Sequence, residues 1–361
     1  MLPPDAPVVL LQHHGLDNLR GKTGLALLRY RQGPIPVVVD PGHGGADLRA
    51  LTGIDRDAAV VASLGEALPL LEAPERAVAV VGLAPSGGLL PTDLRDDLRA
   101  ALQAGLSVAS GLHTRLGDDR ELAALVRPGA WIWDLRREPP ELAVASARAA
   151  DLPGHRLLAV GTDMAVGKMS ACLELGAAAA RHGLDARFVG TGQAGILISG
   201  RGVPLDAIRV DYAAGGVERA VVEAAADATE RTLLLVEGQG SLCHPGSTAT
   251  LPLIRGTQPT QLLLVHRAGQ ATIRNAPHIP IPPLPTLITV VEGLAALARP
   301  QGGAPTPKVC AVALNTAHLS RQEADQAVAE ARRQTGLPCD DPVRHGGDNL
   351  LASLRAGGLA C

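Results

Sequence analysis

Short apolar, β-branched runs alternate with longer amphipathic stretches along most of the chain, a pattern typical of a parallel α/β sheet. In the first half, the pattern predicts strands at residues 8–11, 37–39, 78–81, 107–110 and 131–133. In the second half, it predicts strands at 156–160, 186–190, 232–236, 261–266, 287–290 and 308–314. Helices fit between most of these strands, so the chain is expected to form two α/β layers in series.

A charged, proline-containing segment at 134–140 separates the two series of strands, and the pattern predicts a short helix at 143–150. Because domain boundaries fall in such polar segments, we predict one domain over residues 1–145 and a second over 146–361. The proline-rich run at 276–285 is predicted to be an extended loop. Proline fixes φ and has no N–H to donate to a strand ladder.

The sharpest chemical signal follows the predicted strand at 156–160. Residues 161–170 are Gly-Thr-Asp-Met-Ala-Val-Gly-Lys-Met-Ser, so strand, glycine-rich loop, lysine and helix stand in the order that a phosphate-binding loop requires. The glycines permit a tight turn and close approach of backbone amides, and the lysine adds positive charge at a helix N-terminus. The alternative is a glycine-rich turn with an exposed lysine. The residues predicted to contact phosphate here are Gly161, Thr162, Asp163, Gly167, Lys168, Met169 and Ser170.

The spacing of this loop is one residue longer than the common Gly-x4-Gly-Lys form and resembles the loop of dethiobiotin synthetase. Met169 departs from that pattern, because serine or threonine ordinarily holds Mg²⁺ at this position. Ser170 follows, but one step along a helix rotates a side chain by about 100°. The loop is therefore expected to bind phosphate, and its sequence argues against nucleotide hydrolysis.

A second polar loop follows the predicted strand at 232–236 and also resembles dethiobiotin synthetase. Glu237 stands where an acidic metal or water ligand lies opposite a phosphate-binding loop. Gly238 allows close approach of a ligand, while Gln239, Ser241 and His244 supply polar groups. The alternative is that Glu237 is only a strand-end carboxylate and His244 a surface histidine.

Residues 15–23 repeat the Gly-x5-Gly-Lys spacing in the first half and add the threonine that the second loop lacks. The bulky Asn18, Leu19 and Arg20 stand where the backbone would have to wrap a phosphate. A helix start at Lys22 is therefore favoured, and a second phosphate site stays open as the alternative.

Three further positions end predicted strands and are weaker candidates. Thr191 and Gln193 are candidates to line the same crevice as the phosphate-binding loop, although a simple tight turn explains them equally well. Asn315 ends the last strand, where related folds often recognise a base.

Composition narrows the possible functions. Aromatic residues make up 1% of the chain and the net charge is −3, which argues against stacking platforms and basic surfaces for nucleic acid. The five cysteines form no CxxC pair, so no metal site is predicted. The N-terminus lacks the basic segment of a signal peptide, and no uncharged apolar run reaches the ~18–20 residues of a membrane helix. We expect a soluble, cytoplasmic protein without nucleic-acid or membrane partners.

Five motifs together resemble the DgcN-like family, long catalogued as uncharacterised, whose named member is a D-glutamate N-acetyltransferase. The motifs lie at residues 21–30, 38–45, 132–140, 161–169 and 236–245. The resemblance implies an N-terminal Rossmann-like domain followed by a C-terminal P-loop NTPase-like domain that resembles dethiobiotin synthetase. It also implies that an acetyl group moves from acetyl-CoA to the amine of D-glutamate or a similar amino acid.

Acetyl transfer of this kind needs a base for the substrate ammonium and donors for the developing oxyanion. Glu237 or His244 is the candidate base, and Ser241 or the amides of 238–241 are the candidate donors. Coenzyme A carries phosphates that suit a P-loop without its Mg²⁺ hydroxyl, and Gly238 and Gln239 are predicted to contact it with the loop.

Two other functions stay open. In an ATP-dependent ligase or carboxylase of the dethiobiotin synthetase type, Asp163 and Glu237 would share Mg²⁺ and Lys168 would hold the γ-phosphate. The third possibility is a nucleotide or CoA sensor without catalysis. Because P-loop enzymes of this kind often pair across a crevice, a homo-oligomer is expected. The acceptor is not fixed, since the chain offers several equivalent cations, Arg20, Arg115, Arg255 and Arg274.

Overall fold

The computed structural model describes residues 2–300 and 305–356, which form two compact units. The first unit contains residues 2–138 with 193–200, and the second contains 139–192 with 201–300 and 305–356. In the described residues each unit has a six-stranded sheet whose neighbouring strands are all parallel. The predicted class, two parallel-sheet α/β domains, is confirmed.

The sheet of the first unit has the strand order β3-β2-β1-β4-β5-β6. Its elements along the chain are β1 (Val8–Leu11), α1 (Lys22–Tyr30), β2 (Val37–Val39), α2 (Leu48–Thr52), β3 (Ala59–Val61), α3 (Leu64–Ala67), β4 (Val78–Val81), α4 (Arg95–Ala104), β5 (Ser107–Ser110), α5 (Arg120–Ala124) and β6 (Ile132–Asp134). Val8 and Leu10 face one side of the sheet and Val9 and Leu11 the other, and all four are fully buried. A strand that is apolar on both faces needs cover on both faces, as in parallel sheets.

The second unit has the strand order β14-β13-β10-β7-β9-β8. Its elements begin with β7 (His155–Gly161), α6 (Lys168–Arg181) and β8 (Ala186–Val189). The chain then makes α7 (Gln193–Ser199), whose Ile196 and Leu197 pack in the core of the first unit. The remaining elements are α8 (Val210–Ala224), β9 (Leu233–Val236), α9 (Thr250–Thr257), β10 (Gln261–Arg267), β11 (Thr272–Ile273), β12 (Ala276–Pro280), α10 (Leu284–Leu297), β13 (Lys308–Asn315), α11 (Arg321–Thr335), β14 (Cys339–Asp340), α12 (Pro342–His345) and α13 (Asp348–Ala356).

β7 lies inside the second sheet, between β10 and β9. Leu157 and Ala159 pack in one core cluster with residues of α6 and α13, while Leu158 and Val160 face the opposite cluster. Because neighbouring parallel strands end at the same edge of a sheet, the segments after β7 and β9 come together there. This edge is where open α/β sheets bind ligands.

The predicted strand at 287–290 is wrong, because these residues lie inside α10. The β-branched residues there favour a strand locally. The buried positions Leu284, Leu287, Val291 and Ala295 nevertheless repeat at helical spacing, and a proline in the first turn starts the helix. Tertiary burial therefore overrides the local preference.

Two smaller predictions also need correction. The helix predicted at 143–150 is only a short 3-10 turn, Arg148–Asp151. The proline-rich run is extended only as far as residue 283, because Leu284 and Pro285 begin α10, and part of the extended segment pairs as β12 with β11 in a separate antiparallel hairpin. The short strands β3 and β14 were not predicted. Among residues 2–300 and 305–356, no helix combines the length and apolar character needed to cross a membrane.

Candidate functional site

The loop between β7 and α6 has the backbone of a phosphate-binding loop. β7 ends at Gly161, and α6 begins at Lys168. Gly167 has a φ of 112°, which glycine adopts without steric cost. No side chain in the described part of the chain caps the first turn of α6. The N–H groups of that turn are therefore left to face an anion, which the helix dipole also attracts.

Lys168 lies across this loop and is only 6% exposed, so it is not the exposed lysine of the alternative interpretation. Its Nζ donates to the backbone carbonyl of Asp163 at 2.9 Å. A Cβ added to Gly161 would lie 2.8 Å from Nζ, and one added to Gly238 would lie 2.8 Å from Cδ. The two glycines thus leave the channel through which the lysine reaches the centre of the loop.

Glu237 follows β9 and is buried next to this lysine. Its Oε2 accepts the backbone N–H groups of Thr191, at 2.8 Å, and Gly192, at 3.1 Å. The Thr191 hydroxyl donates to the backbone carbonyl of Glu237 at 3.0 Å. Oε1 has no hydrogen-bond partner among the described residues. One oxygen of the carboxyl group therefore fixes its position, and the other is left for chemistry.

Burial and the charge of the neighbouring group both shift the pKa values of Glu237 and Lys168. Burial raises the pKa of Glu237 to about 7, although the N–H groups of Thr191 and Gly192 and the charge of Lys168 act to lower it. Burial lowers the pKa of Lys168 to about 8, although Glu237 and Asp163 act to raise it. A carboxyl group that titrates near neutral pH suits a general base, because it accepts a proton and returns it readily.

The carboxylate of Asp163 holds neighbouring segments together. Its Oδ1 accepts the N–H of Met164 at 2.7 Å. Its Oδ2 accepts Nε2 of Gln270 at 2.7 Å and the backbone N–H of Arg274 at 2.8 Å. Arg274 thus contributes its backbone at this point, in the turn between β11 and β12.

The predicted catalytic residues Ser241 and His244 have specific local partners. Ser241 Oγ donates to the carbonyl of Thr162 at 2.9 Å, so its single hydroxyl hydrogen is already engaged. The Nδ1 of His244 accepts the N–H of Gly246 at 3.0 Å, which places the proton of the neutral ring on Nε2. Of the two candidate bases, these contacts favour Glu237.

Two cavities of the described chain adjoin the phosphate-binding loop. The first, here the Ser170 cavity, has about 380 Å³ and is lined by residues including Gly167, Ser170, Asn315 and Arg344. The second, the Gln239 cavity, has about 420 Å³ and is lined by residues including Met164, Asp206, Gln239, Gly240, Val210, Leu251 and Arg255. Ser170 therefore faces the β13 side of the loop. Within the described chain, Met169 lines neither cavity.

The weaker strand-end candidates divide between the units. Thr191 supports Glu237 as described, whereas Gln193 begins α7 and belongs to the first unit. Asn315 donates from Nδ2 to the carbonyl of Val166 at 3.1 Å, so it supports the phosphate-binding loop. The sequence did not predict that Gly192 would donate to Glu237 or that Gln270 would donate to Asp163. A backbone donor and a loop glutamine have no characteristic spacing in the sequence.

The second Gly-x5-Gly-Lys segment, in the first unit, is filled by protein. The buried Gln12 side chain donates from Nε2 to the carbonyls of Gly15, at 3.3 Å, and Gly21, at 2.7 Å. A phosphate needs inward N–H groups, but here carbonyls point inward. Lys22 is exposed and begins α1, as the favoured interpretation predicts.

The relatives of the chain agree with this architecture. Residues 41–138 match the Rossmann-like domain of unknown function DUF1611_N, and residues 143–351 match the P-loop domain DUF1611_C. A crystal structure of a DUF1611 family protein from Anabaena variabilis is 49% identical, with a TM-score of 0.89 over 98% of this chain and 100% of that one.

Two curated relatives carry an enzyme name. The D-glutamate N-acetyltransferase of Tritonibacter scottomollicae is 37% identical over 77% of this chain and 80% of its own length. That of Pseudoalteromonas sp. is 34% identical over 76% of this chain and 80% of its own length. With both domain models matched in order, the chain belongs to the DUF1611 family and is a relative of D-glutamate N-acetyltransferases.

Proposed function

We propose that this chain is an N-acetyltransferase that moves the acetyl group of acetyl-CoA to the amine of D-glutamate or a similar amino acid. The observation that carries the proposal is the pairing of Lys168, in an uncapped phosphate-binding loop, with Glu237, whose Oε1 is unengaged among the described residues. A cation for phosphate and a near-neutral base thus lie side by side. The names of the two curated relatives support the reaction.

Coenzyme A suits the residues on the β13 side of this site. Lys168 and the first N–H groups of α6 would hold a phosphate of the cofactor without a metal ion. The Ser170 cavity continues from Gly167 to Asn315 and has room for the nucleoside end. This arrangement leaves the acyl end near Glu237.

The transfer step uses Glu237 as the base. Oε1 takes a proton from the ammonium group of the acceptor, and the freed amine attacks the thioester carbonyl. This first proton passes from Oε1 to solvent. As the C–N bond forms and the C–S bond breaks, Oε1 takes the second proton from the nitrogen and gives it to the leaving thiolate, which departs as the thiol of CoA, so the net reaction releases one proton. The N–H groups of 238–240 are the candidate donors to the oxyanion, because the hydroxyl of Ser241 is engaged with Thr162 and its N–H donates to Ser247.

The donor set speaks against the ATP-dependent alternative. Mg²⁺ on a P-loop normally takes the hydroxyl that follows the lysine, and Met169 has none. Asp163, the carboxylate expected to share the ion, accepts three N–H groups from Met164, Gln270 and Arg274. Most of the acceptor capacity of this carboxylate is therefore already used.

The test is an end-point and rate assay with acetyl-CoA and D-glutamate, which follows thiol release and the mass of the N-acetylated product. We expect turnover by the wild type and a loss of kcat of about 10²–10⁴-fold in Glu237→Gln, since general-base catalysis contributes that much. The exposed Glu223→Gln is the matched control and should keep wild-type kcat. Absence of acetyl transfer by the wild type, or full activity in Glu237→Gln, would contradict the proposal.

A further inference from the structure

The Gln239 cavity lies on the side of the phosphate-binding loop opposite the Ser170 cavity. We infer that this cavity is the acceptor site and that it binds an amino acid with a second carboxylate. The amine of that amino acid contacts Gln239, and its side-chain carboxylate contacts Arg255. This inference rests on the proposed acetyl transfer and adds the position and chemistry of the acceptor.

Gln239 presents an unused acceptor to the cavity. Its Oε1 is buried and finds no hydrogen-bond partner within the described chain. A buried amide oxygen without a donor is costly, so this atom calls for an N–H group from a ligand. An ammonium group supplies such a donor.

The amine end of the cavity lies near the proposed base. Oε1 of Glu237 and Nε2 of Gln239 both lie within 4 Å of one point, the position of a Cβ on Gly192. Asp206 also lines the cavity, and its charge acts on Glu237. An amine bound to Gln239 is therefore placed on the side of the cavity where two carboxyl groups, those of Asp206 and Glu237, are found.

Arg255 gives the cavity a positively charged group. Its guanidinium is exposed and lines the cavity, and within the described ranges no ion pair engages it. Because Gln239 Oε1 is buried and Arg255 exposed, a glutamate whose amine reaches inward directs its far carboxylate outward to the arginine. Arginine binds carboxylates with paired, charge-assisted hydrogen bonds.

Two helix N-termini add to the attraction for carboxylates. Val210 and Leu251 line the cavity from the first turns of α8 and α9. Neither N-cap residue, Arg209 or Ala249, makes a side-chain capping hydrogen bond to its helix. The positive ends of both helix dipoles therefore edge a cavity that also contains a guanidinium, which suits a ligand with two carboxylates.

The test is steady-state kinetics with D-glutamate and D-glutamine as acceptors at varied acetyl-CoA. We expect Arg255→Ala to raise KM for D-glutamate about tenfold or more, to leave kcat/KM for D-glutamine within about twofold, and to leave KM for acetyl-CoA unchanged. Gln239→Leu should lower kcat/KM for both acceptors about tenfold. Arg231→Ala, an exposed arginine outside the lining of the cavity, is the control and should match the wild type.

The outcomes separate this inference from the proposed function. If the wild type transfers acetyl groups but Arg255→Ala and Gln239→Leu keep wild-type KM values, the acceptor binds elsewhere and only the inference fails. If the wild type transfers none, the proposed function fails, and calorimetric titration with D-glutamate alone decides about the cavity. Binding that is lost in Arg255→Ala supports the site, whereas no binding, or equal binding by both proteins, overturns it.

Discussion

The hydroxyl of Ser241 donates to the backbone carbonyl of Thr162 at 2.9 Å, and this bond ties the loop after β9 to the phosphate-binding loop. Both residues are buried, so no bulk water replaces the bond. The segment that carries Glu237 and Gln239 is thereby held against the loop that carries Lys168. We therefore expect Ser241 to act as a positioning residue.

Removal of the Ser241–Thr162 hydrogen bond should affect the stability of the fold more than the rate of acetyl transfer. Ser241→Ala leaves the carbonyl of Thr162 without its donor, and we expect a loss of about 1–3 kcal/mol in the free energy of unfolding. We expect kcat to fall less than tenfold, whereas loss of an oxyanion donor would lower it by about 10²–10³. Denaturant unfolding and kcat of the same preparation distinguish the two roles.

The activity should be confined to a narrow pH range. Below about pH 7 Glu237 is protonated and cannot act as base, and above about pH 8 Lys168 loses the charge that attracts phosphate. We therefore expect kcat/KM for acetyl-CoA, which reports the free enzyme, to rise with pH through about 7 and to fall through about 8. The two apparent pKa values belong to the coupled pair.

A variant separates the two limbs of this profile. In Glu237→Gln the residual activity should no longer rise through pH 7, because glutamine does not titrate. If the acidic limb stays at the same midpoint in Glu237→Gln and disappears in His244→Ala, His244 is the base and the assignment to Glu237 is wrong.

Glycine at 238 should be required by close packing. A Cβ there would lie 1.8 Å from the carbonyl oxygen of Ala159, so Gly238→Ala must displace the backbone next to Lys168. We expect a loss of about 3 kcal/mol in the free energy of unfolding and weaker acetyl-CoA binding. The control is Gly293→Ala in α10, where no described atom lies within 4 Å of the added Cβ. There we expect a gain of about 0.5–1 kcal/mol. Equal effects of the two substitutions on unfolding would refute the packing argument.

Much of the framework could be predicted because its signals are local. The strands at 8–11, 37–39, 78–81 and 107–110 have the predicted bounds, since continuous apolar runs are what a doubly covered parallel sheet requires. The phosphate-binding loop could also be predicted, because a glycine, a lysine and a helix start must follow a strand at fixed spacing. Glu237 could be placed for the same reason, as the residue that directly follows β9.

The rest depends on contacts distant in sequence. Asp163 accepts from Gln270, a residue 107 positions away, and no pattern near either residue announces that bond. The segment at 287–290 misled because its β-branched residues favour a strand, while burial along α10 selects a helix. The orphaned oxygen of Gln239 likewise becomes visible only when the surrounding atoms are placed.

The most direct test of the central claim is a calorimetric titration with acetyl-CoA, and separately with ATP and Mg²⁺. Lys168→Met keeps an apolar chain between Gly161 and Gly238 but removes the charge, and Lys22→Met, in the filled loop of the first unit, is the matched control. We predict micromolar binding of acetyl-CoA by the wild type and Lys22→Met, binding at least about tenfold weaker in Lys168→Met, and no heat from ATP. Tight, Mg²⁺-dependent ATP binding without any binding of acetyl-CoA would contradict the account.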